Sequence, residues 1–348
     1  MIPNGPAARL AAVDGLRGFA ALMVVASHAS GLGIDLLPGV SLEGIGKYGV
    51  YLFFVISAFL LTAQWLRFDA ERRHAPRTLA RYLVRRVARI YPLYTLVLLV
   101  GWALPRPGLG VPLDAAAVWR HLSLQDGQGI YWSIPVEFLY YLVIPPLAWW
   151  LQARIAVWWR VAVVAAVLGL VMWCYPPSTA PLNSFNLAYY LPALACGSLS
   201  AWWLHLRPAL GADPDPPPLI GMWDGVVLAA FLLTLPALFT FLGWGEGPAA
   251  LHRAILGWGV FWSLVLIGMQ TRHLALTARL MRWPGLGACG RWCFGIYLLH
   301  MPALYAAKHL PVPGEFKGWL GLALALALAA LAHRFIERPA MQRARLWL

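Results

Sequence analysis

Residues 47–66 read KYGVYLFFVISAFLLTAQWL, twenty residues whose single charge is the lysine that opens them. At about 1.5 Å per residue a helix of that length covers about 30 Å, the thickness of a bilayer's hydrocarbon core. Hydrocarbon offers no water to a free backbone N–H or C=O, so a run of this kind pairs its backbone internally as a helix. Outward from it, nine further apolar runs lie near 18–34, 90–105, 130–151, 155–175, 187–206, 222–243, 254–271, 291–308 and 317–335. The composition agrees. Of 348 residues, 61% are hydrophobic and 12% charged, and the mean hydropathy is +0.66. Soluble domains carry about 25% charged residues. Length alone suggests two soluble domains of roughly 150 residues, but this composition excludes them, and it excludes disorder. The expectation is an all-α polytopic integral membrane protein with about ten transmembrane helices. Residues 1–348 are expected to form one transmembrane domain with no attached soluble domain.

Charge orients the chain. With the N-terminus inside and loops assigned to alternate sides, 21 of the 27 Lys and Arg residues fall inside. The other six, Lys47, Arg106, Arg120, Arg253, Lys308 and Lys317, fall outside. Basic residues collect on the cytoplasmic side, so both termini are expected in the cytoplasm and the chain in the cell's inner (plasma) membrane. The same bias accounts for the net charge of +13 without a nucleic acid partner; the partner is the lipid bilayer. The arginine-rich stretch 67–89 is expected to lie as a helix along the membrane surface, and the proline-rich 213–218 to be a non-helical connector. Four cysteines make no disulfide framework. Cys289 and Cys293 lack a second ligand pair, so no metal is expected. No Walker loop, dinucleotide fingerprint or His-Glu-x-x-His is present.

Polar side chains inside apolar runs are costly and point to function. Arg17 and His28 are 11 positions apart, which is about 20° beyond three helical turns and about 16 Å along the axis. Both therefore share one face, with Arg17 near the cytoplasmic boundary and His28 past the midplane; Asp14 is placed to hold Arg17. Glu137 enters from the outside, about 10 Å along a helix counted from residue 130, a depth comparable to that of His28. A carboxylate on one imidazole nitrogen fixes the tautomer and leaves the other nitrogen as a base. His300 is mid-span in the ninth run, where a packing hydrogen bond is the plainer reading. Tyr48 and Ser57 lie in the second run, and Ser57 reads as structural glue. Arg85, Arg86 and Arg89 meet the membrane at Ile90. Anchoring explains most such arginines, yet guanidinium groups also suit a polyphosphate.

These stretches occur in a familiar order: DGLRGFAALMVVASH at 14–28, GKYGVYLFFVISAFLLT at 46–62, RRVARIYPLY at 85–94, YWSIPVEFLYYLVIPPL at 131–147, FGIYLLHMP at 294–302 and IERPAM at 336–341. Together they resemble the membrane acyltransferase-3 family over nearly the whole chain. The resemblance implies about ten spans and acyl transfer from a cytoplasmic thioester donor to an acceptor that is often an envelope sugar. It makes Arg17 and His28 the catalytic pair, Arg86 and Arg89 donor-handling residues, with Arg85 beside them, and Glu137 a support of the site. Two departures stand out: Ala58 replaces a glycine of the family pattern, and Phe138 stands where relatives carry a second Glu.

The two readings combine into one expectation. Acyl-CoA, with acetyl-CoA as the default by analogy, binds from the cytoplasm as donor substrate, and no cofactor is held permanently. His28, oriented by Glu137, takes the proton of a glycan hydroxyl arriving from outside. Tyr48, Trp132 or Tyr297 donates to the oxyanion. Ser57, His300 and Asp14 complete the substrate-binding set. An alternative is a proton-coupled sugar or lipid carrier that uses the same His, Glu and Arg; the lack of visible internal repeats counts against it.

Overall fold

The computed structural model describes residues 6–104, 114–207, 221–243 and 251–346. Arg106 and the proline-rich 213–218 lie outside the described residues. Within them the protein is helical throughout, with no β-strand. In chain order the helices are α1 (Pro6–Gly31), α2 (Ile45–Leu66), α3 (Ala70–His74), α4 (Pro76–Ala103), α5 (Ala115–Leu122), α6 (Ser133–Leu151), α7 (Val157–Cys174), α8 (Leu187–Leu206), α9 (Met222–Leu232), α10 (Pro236–Phe241), α11 (Ile255–Gln270), α12 (Ala275–Met281), α13 (Pro284–Arg291), α14 (Cys293–His309), α15 (Gly314–Ala332) and α16 (Arg338–Leu346). Five helical stretches are long and apolar enough to cross a membrane: 10–31, 45–66, 129–151, 157–179 and 314–346. Among them α7 is diagnostic. Only Val164 of it is buried, and Trp173 is 84% exposed. A helix apolar on every side and covered by almost no protein is stable where lipid covers it.

Side-chain contacts give relative helix directions. Arg17 meets Cys293 and His28 meets His300, so α1 and α14 run parallel. Glycines 46 and 49 of α2 pack on Ser27 and Ala20 of α1, an antiparallel pair. Phe54 meets Trp132 and Ser57 meets Glu137, so α2 and α6 are parallel. Tyr91 meets Phe138 and Tyr94 meets Tyr131, which makes α4 antiparallel to α6. Gly295 packs on Ala329 and Gly321 on Leu304, so α14 and α15 are antiparallel. Every one of these directions matches the alternation assigned from charge.

Two expectations change. The arginine stretch is not a separate surface helix. After the short α3, residues 76–103 form one helix whose first half carries the arginines and whose second half is the third apolar run; nothing in 76–91 breaks it. The fourth run does not begin as an α-helix at 130. Residues 129–132 form a 3-10 turn, and Tyr131 and Trp132 are already buried there. Pro135 then falls in the first turn of α6, where its missing N–H costs nothing.

The closest packing is between backbones. A Cβ on Gly15 would lie 1.6 Å from the Met281 carbonyl oxygen, one on Gly18 2.1 Å from that of Leu286, and one on Gly290 1.8 Å from that of Asp14. Helices in lipid gain little from apolar burial and associate through such contacts and through polar bridges. Thr62, Ser198 and Tyr140 supply one bridge, with O···O distances of 2.7 and 2.8 Å across α2, α8 and α6. Ala58 is fully buried and lies against Gly197, so the glycine needed at that crossing is on α8. Gly15→Val and Gly18→Val should each lower the melting temperature or the monodisperse yield in detergent, at a cost of about 1–3 kcal/mol or more. Gly169→Ala, in open space on α7, should change neither.

Candidate active site

One narrow cavity, about 50 Å³, opens between α1, α2, α4, α6 and α14. Its polar lining is Arg17, Ser57, Arg89, Ser133, Glu137, Tyr141, Cys293 and Tyr297. The seat of α1 on α13 carries Arg17 into this cavity. Its Nη2 donates to Cys293 Sγ at 3.1 Å, and Nη1 lies 3.8 Å from Asp14. Glu137 Oε1 accepts from Ser57 Oγ and from the Tyr141 hydroxyl, both at 2.7 Å. Arg86 lies 5.9 Å from the ring centres of Tyr82 and Tyr141, behind the cavity wall. Two guanidinium groups and one carboxylate thus share a small enclosure. Neighbouring opposite charges offset the cost of keeping each away from water.

The other end of α1 carries the second cluster. His300 is fully buried, and its Nδ1–H donates to the Tyr297 carbonyl at 2.7 Å. Its Nε2 is therefore an acceptor, and it lies 3.1 Å from His28 Nδ1. His28 Nδ1 also lies 2.9 Å from the Val24 carbonyl. Both neighbours of His28 Nδ1 are acceptors, so that nitrogen carries the proton and Nε2 keeps its lone pair. His28 is thereby held with a defined free nitrogen. Tyr297 joins the clusters: it lines the cavity, and its ring lies 6.1 Å from that of His300. Ser133 Oγ donates to its hydroxyl at 2.9 Å, and the hydroxyl donates to the Ile130 carbonyl.

Residues 10–333 match the family model described as Acyltransferase domain, the acyltransferase-3 family. The chain belongs to this family. It is an acyltransferase, and the motif-based resemblance holds over nearly its whole length. It is similar to the acyltransferase MdmB of Streptomyces mycarofaciens, at 27% identity over 96% of this chain and 92% of that protein. It is also similar to nodulation protein 10 of Rhizobium leguminosarum bv. viciae, at 26% over 94% and 92%. The O-acetyltransferase OatA of Staphylococcus aureus is 22% identical; the match covers 95% of this chain but 57% of OatA. No solved structure matches.

The acyltransferase brings Arg17, Arg89, Ser57, Glu137 and Tyr297 to one cavity and pairs His28 with His300. Glu137 does not orient His28. The depth count assumed a helix starting at the surface at residue 130, whereas the 3-10 turn delivers the start of α6 inside the bundle and carries Glu137 deeper, to Arg17 and Arg89. His300 takes the orienting place instead. Arg85 is exposed and outside the cavity: around α4, Arg89 lies between Arg85 and Arg86, and the bundle packs on the Arg86 side. Asp14 is the looser partner of Arg17; the nearer is Cys293. Tyr48 donates its hydroxyl to the Thr234 carbonyl at 3.3 Å and stacks on Trp258 at 4.0 Å, away from the cavity. Of the three oxyanion candidates, Trp132 alone makes no hydrogen bond among the described residues.

Glu337 is a residue the sequence reading missed. It is fully buried on a π-helical turn, residues 333–337, a distortion common at functional sites. Its Oε2 lies 3.2 Å from His333 Nδ1, and Oε1 has no partner among the described residues. A glutamate closing the last apolar run was the available signal. The imidazole pair predicts that His300→Leu lowers acyl transfer by about tenfold or more with donor KM unchanged. His28→Ala should fall by a further factor toward the 10²–10⁴ typical of a lost general base. Equal activity of His300→Leu and wild type would contradict the pairing.

Proposed function

We propose that this protein is a membrane O-acyltransferase. It moves an acyl group, acetyl by default, from cytoplasmic acyl-CoA to a hydroxyl of a sugar or cell-envelope glycan. The observation that carries the reading is the single helix α1, which puts Arg17 in a cavity with Arg89 at one end and a tautomer-fixed His28 at the other. The charge bias along the sequence assigns the arginine end, with both termini, to the cytoplasm and the histidine end to the outer face of the plasma membrane. The O-acetyltransferase among the relatives supports the choice of a hydroxyl acceptor.

The donor's phosphates rest on Arg89, whose fork geometry suits them, with the charge of Arg86 behind the wall adding to the attraction. Its long flexible arm enters the cavity past Arg17 and brings the thioester toward Tyr297 and the histidines. The acceptor hydroxyl arrives from the opposite face. His28 Nε2 takes its proton as the oxygen bonds to the thioester carbonyl carbon. His300 Nε2 accepts from His28 Nδ1–H and stabilises the imidazolium. Trp132, with its indole N–H uncommitted, is the donor available to the oxyanion. The C–S bond then breaks, the proton on His28 passes to the departing thiolate, and His28 is restored. Glu137, fixed by Ser57 and Tyr141, balances Arg17 and Arg89 when no donor is bound.

Radiolabelled acetyl-CoA given to inverted membrane vesicles should label envelope material with wild type and not with His28→Ala at matched protein levels. Equal labelling by both would sink the role of His28. Arg89→Gln should raise the donor KM by about tenfold, the worth of a charge-assisted hydrogen bond, whereas Arg85→Gln should leave it unchanged.

A further inference from the structure

A second chamber, about 210 Å³, lies beside the histidine end. It is lined by Lys47, Tyr51, Leu182, Tyr190, His252 and Arg253, among others. Lys47 sits 3.9 Å above the centre of the Trp132 ring, and Trp132 in turn lies 4.9 Å from the Tyr190 ring. Gly46, the neighbour of Lys47, packs against Ser27, the neighbour of His28. The chamber therefore adjoins the proposed base.

Its charge is unbalanced. Lys47 is half-buried and Arg253 exposed, and neither has an ion-pair partner within 4 Å among the described residues. Glu43, one turn before Lys47, is exposed and makes no ion pair there. The remaining polar groups are committed. His252 Nε2 lies 3.0 Å from the Gly44 carbonyl, and the Tyr51 hydroxyl donates to the His252 carbonyl. A cation–π contact contributes about 0.5–2 kcal/mol and leaves the ammonium's own hydrogen-bond donors without an acceptor. An ammonium placed this way is completed by an anion from outside the chain. The walls beside it include the rings of Tyr51 and Tyr190, and aromatic side chains can take the apolar face of a sugar ring.

We propose that this chamber is an acceptor subsite for an anionic sugar, one whose ring lies against Tyr51 and Tyr190 and whose carboxylate or phosphate lies on Lys47 and Arg253. The proposal rests on the acyl-transfer reading only in making the occupant the acceptor; the preference for an anion stands apart from it. It names the class of acceptor: a glycan that carries negative charge near the hydroxyl to be acylated, with the charge read by this chain rather than merely tolerated.

Binding alone tests it, because no donor is needed. The full-length protein in phosphatidylcholine nanodiscs is titrated with methyl β-glucuronide and methyl β-glucoside, which differ in the carboxylate. The glucuronide should bind on the order of tenfold tighter, the worth of one charge-assisted hydrogen bond. Lys47→Gln and Arg253→Gln should each bring it close to the glucoside and leave the glucoside unchanged, while Lys47→Arg should keep the preference. Equal affinities in wild type, or a preference that survives both substitutions, would overturn the proposal. So would loss of the preference in phosphatidylglycerol nanodiscs, which would assign the chamber to a lipid headgroup. Failure of acyl transfer with the preference intact would leave this subsite standing and reject the reaction.

Discussion

The site depends on a backbone contact. At Gly15 and Gly18 of α1, and at Gly290 of α13, no Cβ separates the helices, and carbonyl oxygens occupy the space that side chains would fill. In lipid such close approach is a main source of helix association. Here it also decides chemistry. Arg17 lies between the two glycines and is carried inward to Cys293. Eleven positions later, on the same face, His28 reaches His300. Because α1 and α14 run parallel, one pair of helices sets both the cation at one end and the imidazole pair at the other. A shift of α1 along α13 would disturb both clusters together.

Charge placement follows from the same economy. An ionised group in a membrane bundle is stable only when its neighbours complement it. Arg17, Arg89 and Glu137 share one cavity, with Ser57 and Tyr141 hydrogen-bonded to the carboxylate. The histidine end needs no fixed charge. Each imidazole donates from Nδ1 to a backbone carbonyl of its own helix, so the pair is satisfied while neutral. Lys47 is the exception that this pattern exposes, a lysine over an indole face with no ion-pair partner among the described residues.

Much of this was legible in the sequence. Apolar runs marked the five helical stretches of membrane-spanning length, because lipid leaves no other way to satisfy the backbone, while the run 222–243 is two short helices, α9 and α10; the helix contacts agree with the alternating directions for the first four runs and the last two. Arg17 and His28 stood out because an 11-residue spacing on a helix is a statement about one face. Partners across helices were not legible, since periodicity says nothing of which neighbour a face meets. His300 therefore read as a packing residue until His28 was found against it, and Glu137 was assigned to the wrong cluster. That error came from one local feature, a 3-10 turn that buries Tyr131 and Trp132 before α6 begins. Arg85 and Arg86 are adjacent in sequence and about 100° apart around α4, and only the packing of that helix tells the exposed one from the half-buried one.

The central claim is that donor and acceptor approach this acyltransferase from opposite faces of the membrane. Sealed vesicles of both orientations, given labelled acetyl-CoA in the bath, test it most directly. Inverted vesicles should label their glycan, and the label should stay out of reach of an added esterase until the vesicles are lysed; intact right-side-out vesicles should not label. Equal labelling in both orientations, or product open to esterase outside intact inverted vesicles, would contradict the account.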